Sequence, residues 1–74
     1  MGKPGNISGR DAVRMFGKAG WQKAGQVGSH VVMVKKNMRA NLSIPQHKEL
    51  APGTLRALIR NAGMSVDYFL KLRK

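Results

Sequence analysis

Apolar residues near the start of the chain recur at the spacing of one face of a helix. They are Ala12, Val13, Phe16 and Ala19. Ser8 precedes this stripe and is a residue type that caps helix N-termini, with Asp11 three positions later and Ile7 at the position of a hydrophobic staple. Gly20 follows the stripe, where glycine commonly ends a helix. The pattern predicts a first helix that is capped by Ser8 and ends at Gly20.

The next part of the chain has the short apolar runs that are typical of strands. Residues 21–27 predict a weak strand, because Gly25 interrupts it. Gly28 and Ser29 predict a tight turn, and residues 30–35 predict the clearest strand because they are mostly apolar and β-branched. Both faces of this strand carry apolar side chains, so the sequence alone does not say which face is buried.

A short basic turn at residues 36–39 separates this strand from a third one at residues 40–44. In the third strand Leu42 and Ile44 share one face, polar residues occupy the other, and Pro45 is expected to end the strand. Connections this short favour an antiparallel meander over parallel strands with crossovers.

A second amphipathic helix follows a loop and begins at Pro52, a residue that suits the first helical position. Its apolar stripe consists of Leu55, Leu58, Ile59 and Ala62. Gly63 is expected to end this helix, and Ser65 to cap a last short one. The predicted fold class is therefore α+β, in the order α-β-β-β-α, with a short C-terminal helix and both main helices on one face of the three-stranded antiparallel sheet.

The chain has 74 residues, which predicts a single domain over residues 1–74, with residues 1–6 expected to be flexible. The first residues lack the apolar run of a signal peptide, and no segment is apolar enough over the roughly 18 residues that a membrane span needs. The sequence therefore predicts a cytoplasmic protein without a membrane partner.

Charge narrows the kind of partner further. Fourteen lysines and arginines stand against three acidic residues, which gives a formal net charge of +11 and a pI of about 11.4. A balance this basic predicts a polyanionic partner, which is RNA, DNA or an acidic protein.

Several kinds of catalytic site are excluded by what the chain lacks. Two-metal nucleases need several carboxylates, whereas this chain has only Asp11, Glu49 and Asp67, two of which lie in first helical turns. Cysteine is absent, and two histidines 17 positions apart make a poor zinc site. No glycine-rich nucleotide-binding motif occurs in the required strand-to-helix context. We therefore expect no metal and no small-molecule cofactor.

Acid–base catalysis by an imidazole remains possible. RNA is a suitable substrate for it, because the 2′-hydroxyl is an internal nucleophile and the enzyme needs only to transfer protons and stabilise charge. His30 is the candidate acid–base group, although a histidine at a strand edge is more often structural or simply exposed. The candidate substrate-binding residues are Ser29, Lys23, Lys35, Lys36, Arg39 and Lys48. A single histidine would serve as both acid and base, or share the work with a lysine or water. His47 lies in a loop and is given no role.

Short motifs along nearly the whole chain resemble those of a known protein family. They are, in order, Ser8-Gly9-Arg10, Lys18-Ala19-Gly20-Trp21, Gly28-Ser29-His30, Ile44-Pro45, His47-Lys48-Glu49-Leu50 and residues 53–63 (GTLRALIRNAG). Each motif is weak by itself, but their order and spacing together closely resemble the HicA family. These are the toxins of bacterial and archaeal HicA–HicB toxin–antitoxin modules.

The resemblance implies a fold like that of double-stranded-RNA-binding domains. It also implies an mRNA interferase that cleaves RNA without a metal and so arrests translation. The family's catalytic histidine lies in the Gly-Ser-His motif, which corresponds to His30. The resemblance further implies a HicB-type antitoxin that binds the toxin and covers or distorts its site. Without the resemblance, a non-catalytic RNA-binding module and a subunit that only binds an acidic protein remain open.

Overall fold

The computed structural model describes residues 6–73 and has three helices and one three-stranded sheet. The elements are α1 (Gly9–Lys18), β1 (Gln22–Val27), β2 (His30–Val34), β3 (Leu42–Pro45), α2 (Pro52–Asn61) and α3 (Val66–Lys71). The sheet is antiparallel in the order β1-β2-β3. The predicted α+β class and element order are confirmed. The expected flexibility of residues 1–6 concerns mainly residues 1–5, which lie outside the described residues.

Local signals placed the helix ends correctly. The Ser8 hydroxyl accepts a hydrogen bond of 2.9 Å from the backbone N–H of Asp11, and the Ser65 hydroxyl caps α3 in the same way. Gly20 and Gly63 follow α1 and α2 with φ of +102° and +75°. Glycine adopts this left-handed conformation without the steric cost that a Cβ imposes.

The sheet has one buried face and one open face. On β2, Val31 and Met33 are buried, and on β3 the same holds for Leu42 and Ile44. Helices α1 and α2 pack against this side, as predicted, and the core lies between them and the sheet. Since side chains alternate along a strand, His30 lies on the open face, opposite to Val31. The structure thus settles the question that the two apolar faces of β2 left open.

Two details of the elements differ from the sequence pattern. A register shift between Lys23 and Gly25 makes a bulge in β1, at the weak point that the pattern indicated. On α1 the fully buried residues include Met15, which the predicted stripe omitted, whereas Val13 is only partly buried. The stripe that fits the helical period is Ala12, Met15, Phe16 and Ala19, so Val13 lies at its edge.

The start of α1 docks closely on the chain that leaves β3. A Cβ placed on Gly9 would lie 2.0 Å from the Pro45 carbonyl oxygen and 2.7 Å from the Gln46 Cα. The Gly9 N–H donates to the carbonyl of His47 at 2.9 Å, and the Leu50 N–H donates to the carbonyl of Ile7 at 2.8 Å. Only a residue without a side chain permits this approach.

The C-terminal segment returns to the same helix. The Phe69 ring is fully buried with its centroid 4.6 Å from that of Phe16. The Arg73 guanidinium donates to the carbonyl of Asn6 at 3.0 Å, and the Arg14 guanidinium donates to the carbonyl of Arg73 at 3.3 Å. Residues near both ends of the described chain therefore meet beside α1.

We predict that two glycine-to-alanine substitutions in α1 have opposite effects on the free energy of unfolding. Gly9→Ala should lower it by about 1–3 kcal/mol, because the added methyl overlaps the Pro45 carbonyl. Gly17→Ala should raise it by about 0.5–1 kcal/mol, because a Cβ at this helical position meets no atom within 4 Å. Urea unfolding of both variants checks this, and equal effects would contradict the close docking of Gly9.

Candidate functional site

His30 occupies an exposed corner of the sheet. It is the first residue of β2, directly after a turn in which Gly28 has φ of +59°. Its cross-strand partners are Val27 on β1 and Pro45 on β3, and its side chain is exposed. Because the helices cover the other face, a ligand as large as a polynucleotide can reach this imidazole from the open face.

The ladder between β2 and β3 continues one step beyond the last residues of the strands. The Gln46 N–H donates to the carbonyl of Ser29 at 2.7 Å, so Ser29 and Gln46 are paired next to His30 and Pro45. The Gln46 side-chain amide also donates to the carbonyl of Ile44 at 3.1 Å. The chain after β3 is therefore held against the turn that precedes His30.

His47 follows this pair and is exposed, while its carbonyl is fixed by the N–H of Gly9. Three separate parts of the chain thus meet at one end of the sheet. We call this group the histidine end; it consists of Gly9, Ser29, His30, Pro45, Gln46 and His47. Of the residues in it, the sequence pattern had singled out Ser29 and His30 as site residues.

Exposed cations adjoin the histidine end. Lys48, a predicted substrate-binding residue, directly follows His47, and Arg10 directly follows Gly9 in the first turn of α1. Arg10 was not among the predicted site residues. The sequence does contain an indication of a functional role for Arg10. The first turn of a helix favours acidic residues, so an arginine at this position is not explained by helix stability.

The other predicted basic residues lie farther from His30. Lys35, Lys36 and Arg39 follow the opposite end of β2, roughly 13 Å along a strand of five residues. Lys23 is exposed on β1 and is paired with Met33, also toward that end. The stem of Lys35 lies beside Gly20, with its Cε 3.2 Å from the position of a Cβ there. Of the predicted substrate-binding residues, Ser29 belongs to the histidine end and Lys48 directly follows it, whereas the other four lie toward the opposite end of β2.

Apolar side chains occupy part of the open face. Val27 is 72% exposed, and Val32 and Pro45 on the same face are partly buried. Trp21, in contrast, is only 2% exposed and packs in the core, so it offers no surface for stacking on a base. Within residues 6–73, no group of three or more histidine, cysteine or acidic residues is placed to hold a metal ion. None of the helices in that part of the chain is long and apolar enough to cross a membrane.

Comparison with known proteins gives one match. The family model described as the HicA toxin of bacterial toxin–antitoxin matches residues 9–64 of the 74-residue chain. The matched range contains the whole histidine end, from Gly9 to His47. No curated protein and no solved structure matches the chain.

We predict slow amide hydrogen exchange for the backbone N–H groups that hold the histidine end together. These are the amides of Gly9, Gln46 and Leu50, which donate to carbonyls of other segments. The amides of Lys48 and Glu49, in the exposed part of the same loop, should exchange much faster. Exchange followed by NMR checks this, and uniformly fast exchange across residues 46–50 would contradict the docked loop.

Proposed function

The chain belongs to the HicA family of toxins from bacterial toxin–antitoxin systems, and we propose on this basis that it is an endoribonuclease acting on messenger RNA. His30 would be an acid–base group of the reaction, and no metal ion would be required. The observation that carries the proposal is the position of His30. It is exposed at the corner of an uncovered sheet face, inside the range that the family model matches.

The family also implies a cognate antitoxin as a partner of this chain. We propose that this antitoxin is of the HicB type and that it binds over the histidine end or distorts it. A net charge of +11 is consistent with either partner, because both RNA and an acidic protein surface neutralise it.

The proposed chemistry uses the 2′-hydroxyl of the substrate as the nucleophile. An imidazole accepts the proton of this hydroxyl as its oxygen attacks the adjacent phosphorus, and positioned proton transfer of this kind contributes about 10²–10⁴-fold. Charge on the phosphate oxygens increases during the reaction, and nearby cations stabilise it. Lys48 and Arg10 are the exposed cations that adjoin the histidine end and could do so.

The distant basic residues suit a different task. Lys23, Lys35, Lys36 and Arg39 lie toward the opposite end of β2 from His30. An RNA strand that runs from the histidine end along the sheet to its opposite end would meet them away from the cleaved bond. We propose that they bind flanking phosphates, which gives affinity without sequence preference. The salt dependence of binding would then be steep, because each neutralised phosphate releases counterions.

We predict that His30→Ala lowers RNA cleavage by about 10²–10⁴-fold while the protein stays folded. The side chain is exposed and begins a strand, so its truncation leaves the core intact. The measurement is cleavage of a labelled mRNA at low salt in EDTA, with thermal unfolding of both proteins as the folding check. Ser43→Ala is the matched control, since Ser43 is exposed on the neighbouring strand.

The outcomes of this experiment distinguish three functions and test the role of His30. Cleavage by the parent and by Ser43→Ala, but not by His30→Ala, would support the ribonuclease. Intact RNA that is bound by the parent would instead indicate a non-catalytic RNA-binding module. Intact and unbound RNA, together with tight binding to an acidic protein, would indicate a subunit that serves a protein partner only. Cleavage by folded His30→Ala at the parental rate would overturn the role of His30.

A further inference from the structure

The second histidine of the chain lies at the same end of the sheet as the first. Pro45 is the residue directly opposite His30, and the pairing of Ser29 with Gln46 carries the ladder one step farther. His47 follows Gln46 directly, just beyond the end of β3, so it lies at the same end of the sheet as His30. Both imidazoles are exposed.

His47 is exposed but its backbone is not loose. Its carbonyl accepts the N–H of Gly9 at 2.9 Å, and the residue before it is bonded to Ser29 at 2.7 Å. The absence of a side chain at Gly9 is what permits this contact. An exposed loop histidine of no function needs no such support, whereas a catalytic group must be held in place by fixed surroundings.

We propose that His47 is the second proton-transfer group of the reaction, acting together with His30. This inference rests on the proposed ribonuclease function. A single imidazole cannot both accept the nucleophile's proton and protonate the leaving oxygen from opposite sides of one phosphate. Two imidazoles can, when each lies within hydrogen-bonding reach (roughly 2.6–3.2 Å) of its own oxygen. Such a pair of nitrogens is separated by several ångströms, which suits two exposed histidines at the same end of the sheet.

The step balances without a co-reactant. The neutral imidazole accepts the 2′-hydroxyl proton while the bond from O2′ to phosphorus forms. The bond from phosphorus to O5′ breaks, and the protonated imidazole of the other histidine gives its proton to O5′. The products are a 2′,3′-cyclic phosphate and a 5′-hydroxyl, with one histidine now protonated and the other neutral. Exchange of these protons with water restores the starting state.

The test compares single-turnover cleavage by the parent, His30→Ala and His47→Ala between about pH 5 and pH 8, where histidine is the side chain that changes charge. The parent should give a bell-shaped profile, and His47→Ala should be about 10²–10⁴-fold slower with one limb of the bell missing. The charged residues adjoining the pair are Arg10, Lys48 and Glu49. Glu49→Gln removes the acidic one and serves as the control, which should stay close to the parental rate and keep both limbs of the profile.

A modified substrate distinguishes proton transfer from a merely structural role. If O5′ is replaced by sulfur, the leaving thiolate needs no proton, so the variant that lacks the general acid should recover its rate. We expect this recovery in one of the two histidine variants and not in the other, and the variant that recovers identifies the acid. Unchanged thermal unfolding of His47→Ala is expected, because the bond to Gly9 uses the backbone carbonyl.

The cleavage assays distinguish a failure of this inference from a failure of the proposed function. A parent that cleaves RNA while His47→Ala retains its rate and both limbs would overturn the role of His47 alone. If neither histidine variant recovers its cleavage rate on the sulfur substrate, the role of His47 is also overturned. A parent that leaves RNA intact would overturn the ribonuclease and the histidine pair together.

Discussion

The arrangement depends above all on the close contact between the start of α1 and the backbone that leaves β3. A missing side chain at Gly9 lets the helix come within a distance that even one methyl group would prevent. Two backbone hydrogen bonds, from Gly9 to His47 and from Leu50 to Ile7, then tie the segments on either side of this contact. Since loops usually vary in position more than the elements they join, this contact makes a loop part of the rigid scaffold.

The contact matters for function because the histidine end is assembled from segments far apart in the chain. One segment is the start of α1, another is the turn before β2, and the third is the exit of β3. None of these segments has a fixed position relative to the others unless the core is closed. Burial of Phe16 and Phe69 against each other closes that core on the helix side, so packing and site geometry are two results of the same folding event.

Much of the fold could be predicted because its signals are local. A serine cap before α1, another before α3, and glycines after α1 and α2 act within a few residues of their own positions. The buried stripe of α2 followed from its spacing in the same way. The bulge in β1 itself was not predicted, although it lies next to Gly25, the residue that interrupts the predicted strand.

The candidate site was predictable only in part, because its contacts are not local. His30 was found through its own motif, yet its face could not be assigned, since Val31 and Val32 are equally apolar. Only packing decides between them, and it buries Val31. The proximity of His47 to His30 follows from a strand register and a helix contact that no short stretch of sequence encodes. The predicted likeness to double-stranded-RNA-binding domains stays a prediction, since no solved structure matches.

The return of the C-terminal segment to α1 has a consequence for how the protein is made. Phe69 completes the core, and Arg73 bonds to Asn6 across 67 positions of sequence. Contacts of such long range form late, after the intervening chain is available. A translation product that stops before α3 lacks both the aromatic pair and this link, so the Phe16 ring has no partner from the C-terminal segment until α3 has been synthesised.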